Sequence, residues 1–283
     1  MNKYPLKLKS VTKNALWGGR KLIEDYGKLS DRKTLAESWE LTLHAEGMSI
    51  IENGEYAGMS LAQYLCIEKD ADGFYDFPLM IKYIDAGDKL SVQVHPGKTE
   101  LWYIVEASEG AQLVYGLKKD FNEISFRTAL QEGRLEGLLR FIDVHAGEFY
   151  LLPSGLVHAI GGGILIAETQ QNSNITYRVY DYNRGREIHT EKAIKTIKTL
   201  NENGNYAEVT ECEYFKVEKR IIHAQEVINA DNTFVHVLFL SGSGCIGDEP
   251  VTKGSGYFIP QGSGDIYIKS QDELNILITI PKK

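Results

Sequence analysis

Gln93, His95, Glu100 and His158 together offer an amide, two imidazoles and a carboxylate, a donor set suited to one divalent metal ion. Side chains alternate along a strand, so Gln93 and His95, two residues apart in SVQVHP, point the same way. Pro96-Gly97 reads as a turn, after which Glu100 enters the run TELWYIV and can face back toward His95. The segment Gly147-x5-Pro153-x-Gly155-x2-His158 would bring a fourth donor from a strand end. Such a set suits zinc, manganese or iron(II), and the absence of thiolate argues against a structural zinc site. The other histidines, His44, His145, His189, His223 and His236, read as structural or surface residues.

The elements that must position these donors are mostly strands. PLMIKYIDAG, KLSVQVHP, TELWYIVEA and AQLVYGL are short runs rich in branched and aromatic residues, bounded by Gly, Asp or Pro. That spacing predicts a β-sandwich or barrel. Helical spacing interrupts it at SLAQYLC, with Ser60 as N-cap, at 126–141, expected as one or two helices, and at 191–201. The glycine–proline pattern at Gly147 recurs 107 residues later as Gly254-x5-Pro260-x-Gly262-x2-Asp265, with Asp265 in place of the histidine. Two β-rich halves are therefore expected. The first, 1–204, is a metal-binding domain with helical insertions, and the second, 205–283, lacks the ligands.

Composition excludes several partners. A net charge of −8 over 283 residues argues against nucleic acid or an anionic membrane surface. No apolar run approaches the roughly 20 residues of a membrane helix, and the N-terminus lacks the apolar core of a signal peptide. Cys66, Cys212 and Cys245 are sparse and odd in number, which suggests free thiols in a reducing compartment. A cytoplasmic protein is expected.

The spacing Gly87-x5-Gln93-x-His95-x4-Glu100, followed by the Gly147–His158 segment, resembles the paired motifs of the cupin superfamily, with Gln93 where the first histidine usually stands. The resemblance implies a mainly β protein of two cupin-like jelly rolls (double-stranded β-helices) with a few inserted helices. A closer resemblance covers about residues 5–200. WGG (Trp17 to Gly19), AESWEL, SVQVHP, GKTELWYI, LLPSGLVHAIG and AETQQNSNITYRVYDYNR appear in the order seen in type I phosphomannose isomerases of the short bacterial form.

That resemblance implies a zinc-dependent aldose–ketose isomerase acting on a phosphorylated hexose, mannose 6-phosphate to fructose 6-phosphate, through an enediol. It makes Gln93, His95, Glu100 and His158 ligands of one Zn2+ per chain and Arg178 an active-site arginine. It places Lys98, Asn174 and Trp17 against the substrate, with Lys98 and Arg178 catalytic, in a monomer or homodimer. Two departures stand out. The family usually has a longer connector between the His-Pro and the Lys-Thr-Glu, whereas Pro96 here runs straight into Gly97-Lys98. The family also commonly has Asp where this chain has Asn174, and an amide cannot accept a proton as a base. The alternatives are another metal-dependent cupin, such as an oxygenase, or a non-catalytic sugar-binding module.

Overall fold

The computed structural model describes residues 3–198 and 208–282, so the boundary expected between 204 and 205 lies outside the described residues. Eight strands from Leu79–Ala86 to Ile164–Gln171 form one jelly roll. Its first sheet runs Phe149–Leu152, Glu100–Ala107, Ile164–Gln171, Leu79–Ala86, Glu37–Leu41, Val11–Lys13. The facing sheet runs Leu139–Asp143, Gln112–Leu117, His158–Ile160, Val92–Val94, Tyr177–Tyr180. A second jelly roll follows, from Phe215–Ile222 to Leu274–Pro281, and its strands pair in the same order. Two early strands, Leu6–Lys9 and Ile50–Ile51, extend the sheet of this second half by pairing onto Gly256–Ile259 and onto each other. The N-terminal segment thus takes part in both halves.

The repeated glycine–proline pattern is a repeat of structure. Gly147 and Gly254 have φ of 98° and 82°, and Gly155 and Gly262 have φ of 92° and 76°, left-handed conformations that favour glycine. His158 and Asp265 each open a strand, where His158 faces Gln93 and Asp265 faces Asn229. Glu100 lies opposite Leu152, but the matching partner of Ile259 is Val235. With imidazoles and carboxylate replaced, the second barrel closes over Val235, Val237, Tyr257 and Ile268 instead.

Alternation sorts the first sheet into two working faces. Ile81, Tyr83, Leu101, Tyr103, Leu165 and Ala167 pack with Val217, Leu238, Leu240 and Phe258 in a core shared by the two jelly rolls. Ile84, Trp102, Ile104 and Ile166 look the other way, toward Leu113, Tyr115 and Ile160 of the facing sheet. Any polar residue on the second set of positions must therefore point into the first barrel.

Helices cover the outside. Ser60 caps Leu61–Leu65 as expected, in a reciprocal capping box with Gln63. Glu123–Gln131 and Thr190–Thr196 bring Phe126, Ala193 and Ile194 onto Val92, Val94, Val114 and Ala159. The helical expectation for 126–141 holds only in part. After the Leu135–Leu138 turn, Leu139–Asp143 is a strand paired to Gln112–Leu117, because Gly133 (φ 65°) ends the helix and leaves the following residues to complete a sheet edge. Among the described residues no helix is long and apolar enough to cross a membrane.

Candidate metal centre and substrate pocket

Two turns bring the two halves of the donor set together. Gly97 takes φ 64° in the His95-Pro96-Gly97 turn, and its N–H donates to Ser154 Oγ at 2.8 Å. The Gly155 N–H donates in return to the His95 carbonyl at 3.1 Å. The short Pro96–Gly97 junction is thus closed by the neighbouring Pro153-Ser154-Gly155 turn. Glu100 emerges as the first residue of its strand, and Gln93 lies in register between His158 and Arg178.

His95, Glu100 and His158 form a buried cluster whose ligand atoms all lie within 4.8 Å of one another. His95 Nε2 is 3.2 Å and His158 Nε2 3.8 Å from Glu100 carboxylate oxygens. Each ring is oriented by its other nitrogen: His95 Nδ1 meets the Ile175 carbonyl and His158 Nδ1 the Leu156 carbonyl, both at 2.9 Å. A carbonyl can only accept, so both Nδ1 atoms carry the proton and both Nε2 atoms present lone pairs to the cluster. His95 Nε2 and Glu100 Oε2 are buried without hydrogen-bond partners. Orphaned acceptors aimed at one point are costly unless a cation satisfies them, and the residues fit a divalent metal. Gln93 completes the set, its amide end 3.3 Å from His158 Nε2.

Charge is tuned in the same direction. Burial, and then Lys98, hold the His95 imidazole well below the usual histidine pKa, and burial likewise lowers His158. Burial pushes the Glu100 carboxyl up, but Lys98, His95 and His158 more than offset it and keep it far below the ordinary carboxylate range. Neutral imidazoles beside an ionised carboxylate are the protonation states a metal requires.

Above the cluster lies a cleft of about 270 Å³. Seven of the eight residues singled out from sequence line it: Trp17, Gln93, His95, Lys98, Glu100, Asn174 and Arg178; His158, the eighth, sits behind Glu100. Lys98 is 3% exposed, with Nζ 2.6 Å from Glu100 Oε1. Asn174 sits at the rim, where its amide donates to Glu46 Oε2 at 3.0 Å. Arg178 lines the cleft from the Tyr177–Tyr180 strand, with Nη1 held by the Glu187 carbonyl at 2.8 Å.

Sequence reasoning missed four charged residues of the same cleft: Glu37, Lys82, Glu168 and Arg186. Lys82 and Glu168 face each other across neighbouring strands, with Lys82 Nζ 3.1 Å from Glu168 Oε2 and 3.7 Å from Glu37 Oε2. Burial opposes the charge on Lys82, but Glu168, Glu37 and Glu100 raise its pKa above the usual lysine value. Burial, then Glu100, raise the Glu168 carboxyl, while Trp102 Nε1 donates to it at 2.8 Å. The signal was present in the sequence: a lone Lys82 inside LMIKYIDA and a lone Glu168 inside ILIAETQ stand on the barrel-facing parity of apolar strands. Arg186 comes from a loop with no periodicity and is fixed by buried Asp181, which accepts from its Nε at 2.9 Å and also holds Arg184.

A duplicated jelly roll with a buried His/Glu/His cluster under a charged cleft defines a cupin-type fold with a candidate metal site. Residues 6–120 match the family described as phosphomannose isomerase type I, catalytic domain. The chain is 33% identical to the mannose-6-phosphate isomerase ManA of Bacillus subtilis, over 96% of this chain and 98% of that protein. It is 39% identical to the mannose-6-phosphate isomerase of Streptococcus mutans over 68% of this chain and 67% of that one. The crystal structure of a mannose 6-phosphate isomerase from Bacillus subtilis superposes with a TM-score of 0.87 at 31% identity, covering 98% of this chain and 100% of that one. The chain belongs to the type I phosphomannose isomerase family. The match to ManA spans 311 aligned positions, more than the 283 residues present here, so that relative carries residues this chain lacks.

Proposed function

We propose that this protein is a zinc-dependent mannose-6-phosphate isomerase of the cytoplasm, moving a proton between C2 and C1 of the sugar through an enediol to give fructose 6-phosphate. One observation carries the reading. Two imidazoles locked with their Nε2 lone pairs toward an ionised Glu100 sit beneath a cleft that also holds Arg178 and Arg186. Gln93, His95, Glu100 and His158 would hold the zinc, and bound there it would act as a Lewis acid toward the oxygens of C1 and C2, worth several kcal/mol.

The chain's own residues account for the rest. Arg178 and Arg186 bind the substrate phosphate, which suits guanidinium because it remains charged and offers a planar fork of donors. Asp181 keeps Arg186 turned into the cleft. Lys98, packed against Glu100, donates to the oxygen on which negative charge develops. Glu168 is the group that takes and returns the proton. It is buried, lines the cleft, and its raised pKa brings it closer to the working pH of a general base. Asn174 can bind a sugar hydroxyl at the rim but cannot serve as the base. Trp17 forms an apolar wall that helps exclude water.

The metal assignment is tested by stripping the protein with a chelator and adding back zinc, manganese or iron(II) singly. Zinc is expected to restore fructose 6-phosphate formation at one ion per chain. Full recovery with another metal and none with zinc would overturn it.

A further inference from the structure

A second cleft, of about 280 Å³, opens on the opposite face of the same sheet, at the seam between the two jelly rolls. Tyr26, Tyr103 and Glu106 line it from the first half, and Lys219, Lys253 and Asn275 from the second. Lys219 and Lys253 are half-buried and have no carboxylate partner among the described residues, in a chain whose net charge is −8. Glu106, the carboxylate of this cleft, is taken by Lys21 at 2.7 Å. Lys253 Nζ lies 4.1 Å from the centre of the Tyr26 ring. Tyr26 is only 6% exposed, and its hydroxyl is buried with no hydrogen-bond partner.

We propose that this seam cleft binds a small phosphate-bearing anion. Two ammonium groups without carboxylate partners among the described residues, beside the Asn275 amide, which also donates to Glu273 Oε1 at 3.0 Å, match a tetrahedral oxyanion approached from several sides. A planar carboxylate would be better served by an arginine fork, and the cleft has none. Its volume, close to the 270 Å³ of the substrate cleft, admits ligands from inorganic phosphate up to a phosphorylated metabolite no larger than a hexose phosphate. The bound anion would tie Lys219 and Lys253 of the second jelly roll to Tyr26 of the first.

The test is calorimetric titration of inorganic phosphate into metal-loaded Arg178→Ala protein, in which binding at the substrate cleft is weakened, and into the same protein carrying Lys219→Gln and Lys253→Gln. Saturable binding is expected in the first, with at least a tenfold weaker dissociation constant in the second. Indistinguishable titrations, or no uptake by the Arg178→Ala protein, would overturn the proposal. A parallel titration with glycerol 3-phosphate separates the two sources: tighter binding than phosphate indicates a metabolite, equal binding the free ion. Lys219→Gln/Lys253→Gln in an otherwise unchanged chain is expected to keep its circular dichroism and isomerase turnover, so that weakened binding cannot be misread as unfolding.

Discussion

Glu100→Gln separates the two duties of the carboxylate at the centre of the site. The substitution keeps shape and an acceptor oxygen but removes the charge, so both Lys98 and the metal lose their anion. Lys98 Nζ is 2.6 Å from Glu100 Oε1, and the two side chains are 3% and 2% exposed. Breaking a pair this deeply buried leaves an uncompensated cation and costs about 3–5 kcal/mol. For a chain of this size that lowers the melting temperature by roughly 10 °C. Metal affinity is expected to fall by more than ~100-fold, because loss of a hydrogen-bond partner one shell out already costs about 10- to 100-fold. Metal content after dialysis against buffered free zinc reads the second effect. Urea unfolding of chelated wild type against chelated variant isolates the first, since no metal contributes to either curve. A Glu100→Gln protein that retains one metal per chain and unfolds like the wild type would refute both the ligand assignment and the Lys98 pairing.

Arg178→Ala should keep its metal and lose at least ~100-fold in kcat/KM on the phosphorylated sugar; metal loss in this variant, or near-normal turnover, would contradict its placement as a phosphate contact. His236, fully buried, has its pKa pushed from 6.5 down to about 3 by burial, which outweighs the opposing contact with the Glu40 backbone. The unfolded chain therefore takes up this proton first, and the stabilisation is complete above about pH 6.5 and lost as pH falls toward 3, amounting to about 2 kcal/mol by pH 5. Urea melts at pH 7 and pH 5 should show a loss smaller by that amount in His236→Leu, and equal losses would count against the argument. Asp85 accepts from the N–H groups of Lys21 and Leu22 at 2.7 and 3.3 Å and so anchors the chain just after Trp17. Asp85→Ala should destabilise by about 1–3 kcal/mol and raise KM more than it lowers kcat, which steady-state kinetics would check.

Much of the site was legible because strand parity is strict. Gln93 and His95 could be placed on one face by counting, and Gly147 to His158 could be matched to a second strand end by its turn residues. The duplicated jelly roll was visible through Gly254, Pro260 and Gly262, which repeat the turn while the donors are gone. The strand at 139–143 was not legible, because Leu138, Leu139 and Phe141 fit a helical stripe as well as a sheet edge, and only pairing with Gln112–Leu117 decides between them. Lys82 and Glu168 were hidden for a different reason. Each is the single charge on the barrel-facing side of an apolar strand, and what brings them together is their meeting across the sheet. The shared sheet of Leu6–Lys9 with Gly256–Ile259 joins residues some 250 positions apart, and nothing local in either segment announces the other.

The account rests on a metal-dependent proton transfer within a hexose phosphate. Its most direct test is a coupled assay for fructose 6-phosphate formed from mannose 6-phosphate, run on the metal-loaded protein, after chelation and after zinc is returned. The account predicts turnover that chelation abolishes and zinc restores. A folded, zinc-loaded protein with no activity on mannose 6-phosphate, or activity indifferent to the chelator, would contradict it.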